Sequence, residues 1–220
     1  EVVAYEPDSV SLLERRAGTL HHAGVLGLLR AGLAGFAWYL RNRRQVRRQT
    51  VLRALHALGE QVLWAGSAAE ILAKLTDAIP AVCGATSVRV YELDRKTRIL
   101  NRIPTDEDPD PQPVNPEAPA GPIAAGIALA VRSRAVVSVP DTRRSPLFAG
   151  SAGTDGPRSV MFTPMFVQDE ILGVIEVGHA GAVRHFSREE QAAMQHLANQ
   201  VAAALRLLEQ QAVRERLFHS

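Results

Sequence analysis

The chain has 220 residues, of which 46% are hydrophobic and 22% charged, and its net charge at neutral pH is only +2. This length accommodates one domain of ordinary size plus extensions, and the charge pattern is not the footprint of a nucleic-acid-binding protein. The one cysteine, Cys83, excludes an internal disulfide and a multi-cysteine zinc site.

The first segment, residues 1–44, contains a candidate transmembrane helix. Residues 23–40 form an apolar stretch of 18 residues with a single charge, Arg30, and a basic run begins at Arg41. This order suits a membrane helix with a positive cytoplasmic flank, which would place the rest of the chain at the cytoplasmic face of the inner membrane. A soluble amphipathic or buried helix is the alternative, because a central arginine costs about 2.5 to 3.5 kcal/mol on insertion scales.

Two helices show the spacing of a coiled coil. In the helix predicted over residues 45–66, apolar side chains recur at steps of four and three, at Val51, Leu55, Leu58 and Val62. The C-terminal helix repeats this pattern with Met194, Leu197, Val201 and Leu208. Such stripes form the seam of a coiled coil, so the sequence predicts a parallel homodimer through these residues. The alternative is that both helices pack on the domain's own sheet.

Residues 67–208 predict one domain of helices and strands. We expect a helix over 67–82, strands over 86–93 and 97–103, a helix over 122–132, and strands over 135–140, 158–167 and 170–179. Ser187, followed three residues later by Glu190, forms a capping box that begins a long helix. The order predicts an α+β fold, with a central antiparallel sheet, helices on one face and a loop-rich side opposite.

The second half of this domain resembles the C-terminal half of a GAF domain. The resemblance rests on the order and spacing of five pieces: PIAAGIALAVR (122–132), VPDTRRSPLF (139–148), RSVMFTPM (158–165), ILGVIEV (171–177) and FSREEQAAMQHLANQVAAAL (186–205). It implies a GAF-like fold over residues 67–208, with a small-molecule pocket on the loop side of the sheet.

The sequence lacks most of the residues that GAF domains use to bind known ligands and cofactors. The asparagine, lysine, phenylalanine, aspartate and glutamate signature of cyclic-nucleotide-binding members has no counterpart. Cys83 falls at a helix end, where a buried structural thiol is favoured over a bilin attachment site, and one thiol cannot complete the redox cycle of methionine sulfoxide reductase members. Among the seven histidines, His179 and His185 fall near strand ends, and no metal-binding spacing occurs. We therefore predict no haem, bilin or cyclic nucleotide, and no enzyme activity.

A noncovalent ligand is the remaining prediction for the pocket. The loop over 141–157 offers Asp141, Arg143, Arg144 and Phe148, and an arginine pair beside an aromatic ring suits an anionic or planar ligand. On the strands, Tyr91, Met161 and Thr163 are expected to line the pocket floor. The competing interpretation is a solvated loop over ordinary core residues.

The last segment, residues 209–220, ends in LFHS, which looks like the run that leads into the phosphoacceptor helix of a sensor histidine kinase. The chain begins without methionine, and we expect it to be part of a longer protein. The sequence thus predicts the sensory module of a two-component signalling protein, which binds a small molecule and signals through a helical dimer to a C-terminal kinase. The alternatives are a ligand-free relay scaffold and a module serving a cyclase or a transcription regulator.

Overall fold

The structure, a computed structural model, describes residues 33–38, 49–104, 112–149 and 156–218. The chain divides into two units, one up to Gln49 and one from Thr50 onwards. In the first unit, residues 33–38 are helical and solvent-exposed, and the other residues of the predicted membrane segment, 23–40, lie outside the described part. Within the described ranges, no helix has both the length and the apolar character that a membrane span requires.

The second unit is built on an antiparallel sheet of five strands. These are β1 (Ser87–Leu93), β2 (Leu100–Arg102), β3 (Val137–Val139), β4 (Ser159–Val167) and β5 (Glu170–His179). Their order across the sheet is β2-β1-β5-β4-β3. Because β5 lies at the centre and is covered on both faces, its sequence is an almost continuous apolar run.

Helices cover both faces of the sheet. They are α1 (residues 49–63), α2 (Ala68–Cys83), α3 (Pro122–Ser133) and α4 (Arg188–Phe218). One core joins α1, α2 and α4 to the first face, and a second core joins α3 and the following loop to the other. The predicted α+β fold with a central antiparallel sheet is confirmed, but the expectation of helices on one face only is wrong, because α3 packs on the second face.

Serine side chains fix the starts of α2 and α4. The Glu70 amide donates to Ser67 Oγ over 3.2 Å, and Gly84 ends α2 with a φ of +62°, a conformation that glycine adopts without strain. At α4, the Glu190 amide donates to Ser187 Oγ over 3.2 Å, and the Ser187 amide donates to Glu190 Oε2 over 2.8 Å. The capping box predicted at Ser187 is therefore confirmed.

The stripes predicted as a dimer seam lie in the core of a single chain. Seven of these residues are no more than 9% exposed, and they belong to one core with α2 and the sheet: Val51, Leu55, Leu58, Val62, Met194, Leu197 and Val201. The eighth, Leu208, is partly buried against the same core. This corrects the placement of the seam, because the stripes of α1 and α4 are satisfied within the chain. The homodimer itself stays a prediction.

Candidate functional site

A buried carboxylate lies on the sheet face that α3 covers. Tyr91, Phe162 and Val174 share the core beneath α3 with apolar residues of that helix. Glu176 is paired across the sheet with Arg89 on β1 and Phe162 on β4, so it lies on the same face, and it has no exposed surface. Burial of a charge in an apolar layer costs several kcal/mol unless the charge is paired and hydrogen-bonded.

Each oxygen of Glu176 has a partner from β1. Arg89 Nη1 lies 2.6 Å from Oε1, and the Tyr91 hydroxyl donates to Oε2 over 2.8 Å. Burial, reinforced by the nearby negative charge of Glu176, raises the pKa of Tyr91, so its phenol stays protonated as a donor. The Arg89 side chain is 36% exposed and connects the buried carboxylate with solvent. We call Arg89, Tyr91 and Glu176 the Glu176 cluster.

The loop after β3 is held by Asp141. Its carboxylate accepts a hydrogen bond from the Arg143 amide over 3.1 Å and lies 3.0 Å from Arg158 Nη2. The Thr142 hydroxyl donates to the carbonyl of Pro157 over 2.8 Å, which makes a second link between this loop and the segment before β4. Asp141 therefore anchors the loop within the chain.

A shallow depression of about 330 Å³ opens beside this anchor, lined by Ser138, Val139, Pro140, Asp141, Arg144 and Ser145. The Arg144 side chain is 89% exposed and lies 4.0 Å from Asp141, so it remains mostly in solvent. Arg143 is also exposed, whereas Phe148 is partly buried against the core beneath α3. The depression offers serine hydroxyls and an arginine to a small polar molecule.

The seven residues predicted for a ligand do not share one pocket. Tyr91 belongs to the Glu176 cluster, and Asp141 and Arg144 line the depression. Met161 and Thr163 are fully buried on the opposite side of the sheet, because alternate residues of β4 face opposite ways and Met161 packs in the core of α1, α2 and α4. This corrects the expectation that Tyr91, Met161 and Thr163 line one pocket floor.

Glu176 and Arg89 were not among the site residues predicted from the sequence. The available signal was one glutamate in the otherwise apolar run ILGVIEV. Its partner on β1 was unpredictable, because cross-strand pairing depends on a register that the sequence alone does not give.

A second polar cluster joins α2, β5 and α4 through Arg184. Its Nη1 lies 2.6 Å from His179 Nε2 and also donates to the Cys83 carbonyl, and its Nη2 lies 2.9 Å from Glu190 Oε1. Burial, followed by the positive charge of Arg184, lowers the pKa of His179. Burial raises the pKa of Cys83 to about 11, so this thiol stays protonated, and its predicted burial is confirmed.

Comparison with known families decides which kind of domain this is. The GAF domain family matches residues 67–205, more than half of the chain. The chain belongs to the GAF domain family. It therefore contains a regulatory or sensory module of the GAF type. No curated protein matches the sequence.

Solved structures show how widely this GAF fold is used. The GAF domain of a phosphoenolpyruvate-protein phosphotransferase from Coxiella burnetii superposes with a TM-score of 0.64 at 16% identity, covering 76% of this chain and 98% of that one. A putative GAF sensor protein from Burkholderia vietnamiensis gives 0.58 at 16% identity, covering 73% and 98%. A free methionine-R-sulfoxide reductase from Neisseria meningitidis, in complex with its substrate, gives 0.61 at 16% identity, covering 74% and 92%. At these identities the likeness shows the fold alone.

Proposed function

We propose that this GAF domain is the sensory module of a two-component signalling protein, and that α4 relays its state to a C-terminal histidine kinase. The observation that carries the proposal is the continuity of α4, one helix of 31 residues from Arg188 to Phe218. A helix of this length measures about 46 Å. Its first half is buried against the sheet, whereas residues 209–215 are exposed. One continuous element thus joins the sheet to a region past the domain.

Four charges connect α4 to the ends of two hairpins. Arg95, in the turn between β1 and β2, lies 2.9 Å from Glu170 at the start of β5 and 3.2 Å from Glu209 on α4. Arg206 on α4 lies 3.2 Å from Glu170 and 3.8 Å from Glu209. These partly exposed pairs contribute little stability each, but together they fix where α4 crosses the hairpin ends. A shift of β5 would therefore move α4.

We propose that the ligand is sensed on the sheet face that α3 covers. The Glu176 cluster supports it, because perturbed ionisable groups in an apolar layer mark functional sites more often than chance. A small molecule with a hydrogen-bond donor would compete with Arg89 for Glu176. The depression at Asp141 and Arg144, with Arg143 and Phe148 nearby, is the second place for such a ligand.

A ligand-free relay is the second candidate function, and one observation favours it. A side chain added at Gly126 of α3 would overlap the Phe162 ring, so α3 lies directly on the sheet at that point. Both oxygens of Glu176 are also satisfied by the chain itself. In a ligand-free relay, the Glu176 cluster stabilises the sheet, and the signal comes from another domain.

The dimer and the membrane anchor belong to the same proposal. Because the predicted seam is buried, a parallel homodimer would have to use other residues, and Leu207 and Val213 on α4 are 50% and 48% exposed. We propose that residues 23–40 tether the protein to the cytoplasmic face of the inner membrane. A cyclase or a transcription regulator is the alternative output.

The relay can be tested by changing the helical phase between α4 and the kinase region that follows it. The chain would be fused through an unbroken α4 to the dimerisation and catalytic regions of a histidine kinase, and autophosphorylation would be measured after insertions beyond Glu209. Inserting two residues rotates the output by about 200° and should invert or abolish regulation, whereas seven residues, about two turns, should preserve it. Regulation that is independent of phase would contradict a relay through α4.

Ligand binding is tested by thermal unfolding in the presence of a small-molecule library. A ligand at about 100 times its Kd stabilises the folded state by about 2.7 kcal/mol, which raises Tm by several degrees. The shift should shrink in Glu176→Gln and persist in Arg144→Gln if the ligand binds at the Glu176 cluster. The reverse result would move the site to the depression, and no shift with any compound would favour the ligand-free relay.

A further inference from the structure

Two histidines from different helices meet where α1 packs against α4. The ring centroids of His56 on α1 and His196 on α4 are 5.3 Å apart, and the ring planes are tilted by 37°. The sensing and relay steps described above make no use of this pair. We propose that His56 and His196 bind a divalent transition-metal ion, Zn²⁺ or Cu²⁺, and that the ion clamps α1 to α4.

The separation of the rings fits a shared metal ion. A Zn–N bond of ~2.0–2.1 Å places the centre of an imidazole ring ~3.2 Å from the metal. Two imidazoles at the tetrahedral angle then have centroids ~5.2 Å apart. The observed 5.3 Å is close to this value, so the two rings already lie at the separation that a shared metal ion requires.

The tautomer of His56 is the one that metal binding requires. Its Nδ1 lies 2.8 Å from the backbone carbonyl oxygen of Leu52. Because a carbonyl oxygen only accepts, Nδ1 carries the proton, and the lone pair for a metal is on Nε2. Histidine ligands commonly donate their other ring N–H to a backbone carbonyl, which fixes the ring and increases its basicity. His56 is exposed, so an ion can reach it.

Close packing of the two helices holds the histidines in register. A Cβ added at Gly59, one turn after His56, would meet the terminal amide group of the Gln200 side chain, so α1 and α4 are in contact at this point. Gln200 lies one turn after His196. The stretch of α1 that carries His56 and Gly59 therefore faces the stretch of α4 that carries His196 and Gln200. Its Oε1 is buried and lacks a hydrogen-bond partner in the part of the chain that the structure describes. The pair is thus positioned by helix packing that exists without the ion.

The donor set decides which ions fit. Imidazole nitrogen suits Zn²⁺, Cu²⁺ and Ni²⁺, whereas Mg²⁺ and Ca²⁺ prefer oxygen ligands. Among the described residues, no group of three or more histidine, cysteine, aspartate or glutamate side chains is placed to hold a metal. Water would occupy the remaining positions, so we expect a moderate affinity that responds to changes in metal concentration. Filling the site would bias the packing of α1 on α4, which is independent of any ligand at the Glu176 cluster.

Calorimetric titration with ZnCl₂ tests the site on the whole chain. His56→Gln and His196→Gln keep the size and polarity of the side chains, and His185→Gln is the matched control, because His185 is an exposed loop histidine. We expect one bound Zn²⁺ per chain, at least tenfold weaker binding in either of the first two variants, and unchanged binding in the control. Equal binding by all four proteins would overturn the proposal and assign the ion to histidines elsewhere, such as His21 and His22. Circular dichroism confirms that each variant is folded.

Hydrogen exchange tests the clamp separately from binding. Zn²⁺ should slow amide exchange over residues 50–63 in the wild type and in His185→Gln, but not in His56→Gln or His196→Gln. Binding without this protection of α1 would overturn the clamp. Copper gives an independent readout, because pulsed electron paramagnetic resonance counts coordinated imidazoles. Two imidazoles are expected in the wild type and one in each single variant, and two in both variants would overturn the proposal.

Discussion

At the scale of single residues, Glu176 shows how a buried charge constrains its neighbours. Its carboxylate has no exposed surface, and each oxygen depends on one donor from β1, Arg89 or Tyr91. Losing either donor leaves part of the charge unsatisfied inside the protein, which costs more than the net gain from forming an ordinary hydrogen bond. The cluster therefore couples the chemistry of one residue to the pairing of β1 with β5.

We predict that Tyr91→Phe lowers the free energy of unfolding by about 1.5–3 kcal/mol, since a hydrogen bond to a charged group is removed while the ring is kept. Urea denaturation measures this change. The same substitution made in a Glu176→Gln background should cost less, because the amide carries no charge. A Tyr91→Phe protein as stable as the wild type would contradict the assigned role of this hydroxyl.

His179 gives a prediction for pH. Burial and Arg184 lower its pKa in the folded state, whereas the unfolded chain takes up a proton near the ordinary value of about 6.5. The folded state is therefore stabilised by neutral His179 above that value, and this contribution is lost as the pH falls towards the folded-state pKa. We expect His179→Gln to lose less stability than the wild type between about pH 7.5 and 5. Parallel pH profiles of the urea midpoint would contradict the prediction.

At the scale of elements, Gly126 sets how closely α3 approaches the sheet. A methyl group there would overlap the Phe162 ring. Gly126→Ala should therefore destabilise the domain by about 1–3 kcal/mol through overpacking, even though alanine favours helices by about 1 kcal/mol. The double variant Gly126→Ala/Phe162→Leu should recover part of the loss in urea denaturation. A more stable Gly126→Ala protein would show that α3 can move away from the sheet.

The start of α4 depends on the capping box at Ser187. Ser187→Ala should lower the unfolding free energy by about 0.5–2 kcal/mol, because the Glu190 amide loses its acceptor. Ser67→Ala, the matched change at α2, should cost a similar amount. Hydrogen exchange distinguishes the two, since only Ser187→Ala should increase fraying of the first turn of α4. Equal exchange there in both variants would contradict the assignment of Ser187.

The elements were largely predictable from the sequence, because alternation and capping are local signals. The strand predicted over residues 97–103 is shorter in the structure, Leu100–Arg102. Asp94 accepts hydrogen bonds from the amides of Lys96 and Thr97, and Arg98 has a φ of +61°, so the turn extends to Ile99. Because the Asp94 carboxylate accepts hydrogen bonds from backbone amides of the turn, β2 begins three residues later than predicted.

The positions of the functional residues were less predictable from the sequence. The spacing of apolar residues along a helix predicts an apolar stripe, but it does not show which surface that stripe packs against. The apolar stripe through Val51 and Leu55 fits a partner chain and the chain's own core equally well, and the structure places it in the core. Met161 and Tyr91 each fit the alternation of a strand, but only the register of β5 with β1 and with β4 places them on opposite faces. The sequence pattern does not show which strands pair or in which register, and this information is needed to assign each residue to a face of the sheet.

At the scale of the whole molecule, α4 is the long helix that connects the sheet with the exposed residues 209–215. It packs on the sheet through Met194 and Leu197, contacts the hairpin ends through Arg206, and then continues past the domain. Since a packed interface has few alternative arrangements, a perturbation of β5 should reach α4 as a change in packing. The relay proposal predicts that α4 responds to events on the opposite face of the sheet.

Hydrogen–deuterium exchange of the whole chain tests this claim most directly, with wild type compared with Glu176→Gln and with Arg144→Gln as a surface control. Glu176 lies on the α3 face and α4 on the other, so the substitution touches no residue of α4. We predict faster exchange in Glu176→Gln both in β5 and in α4 around residues 194–209, and no change in the control. Faster exchange confined to β1 and β5, with α4 unchanged, would contradict the relay.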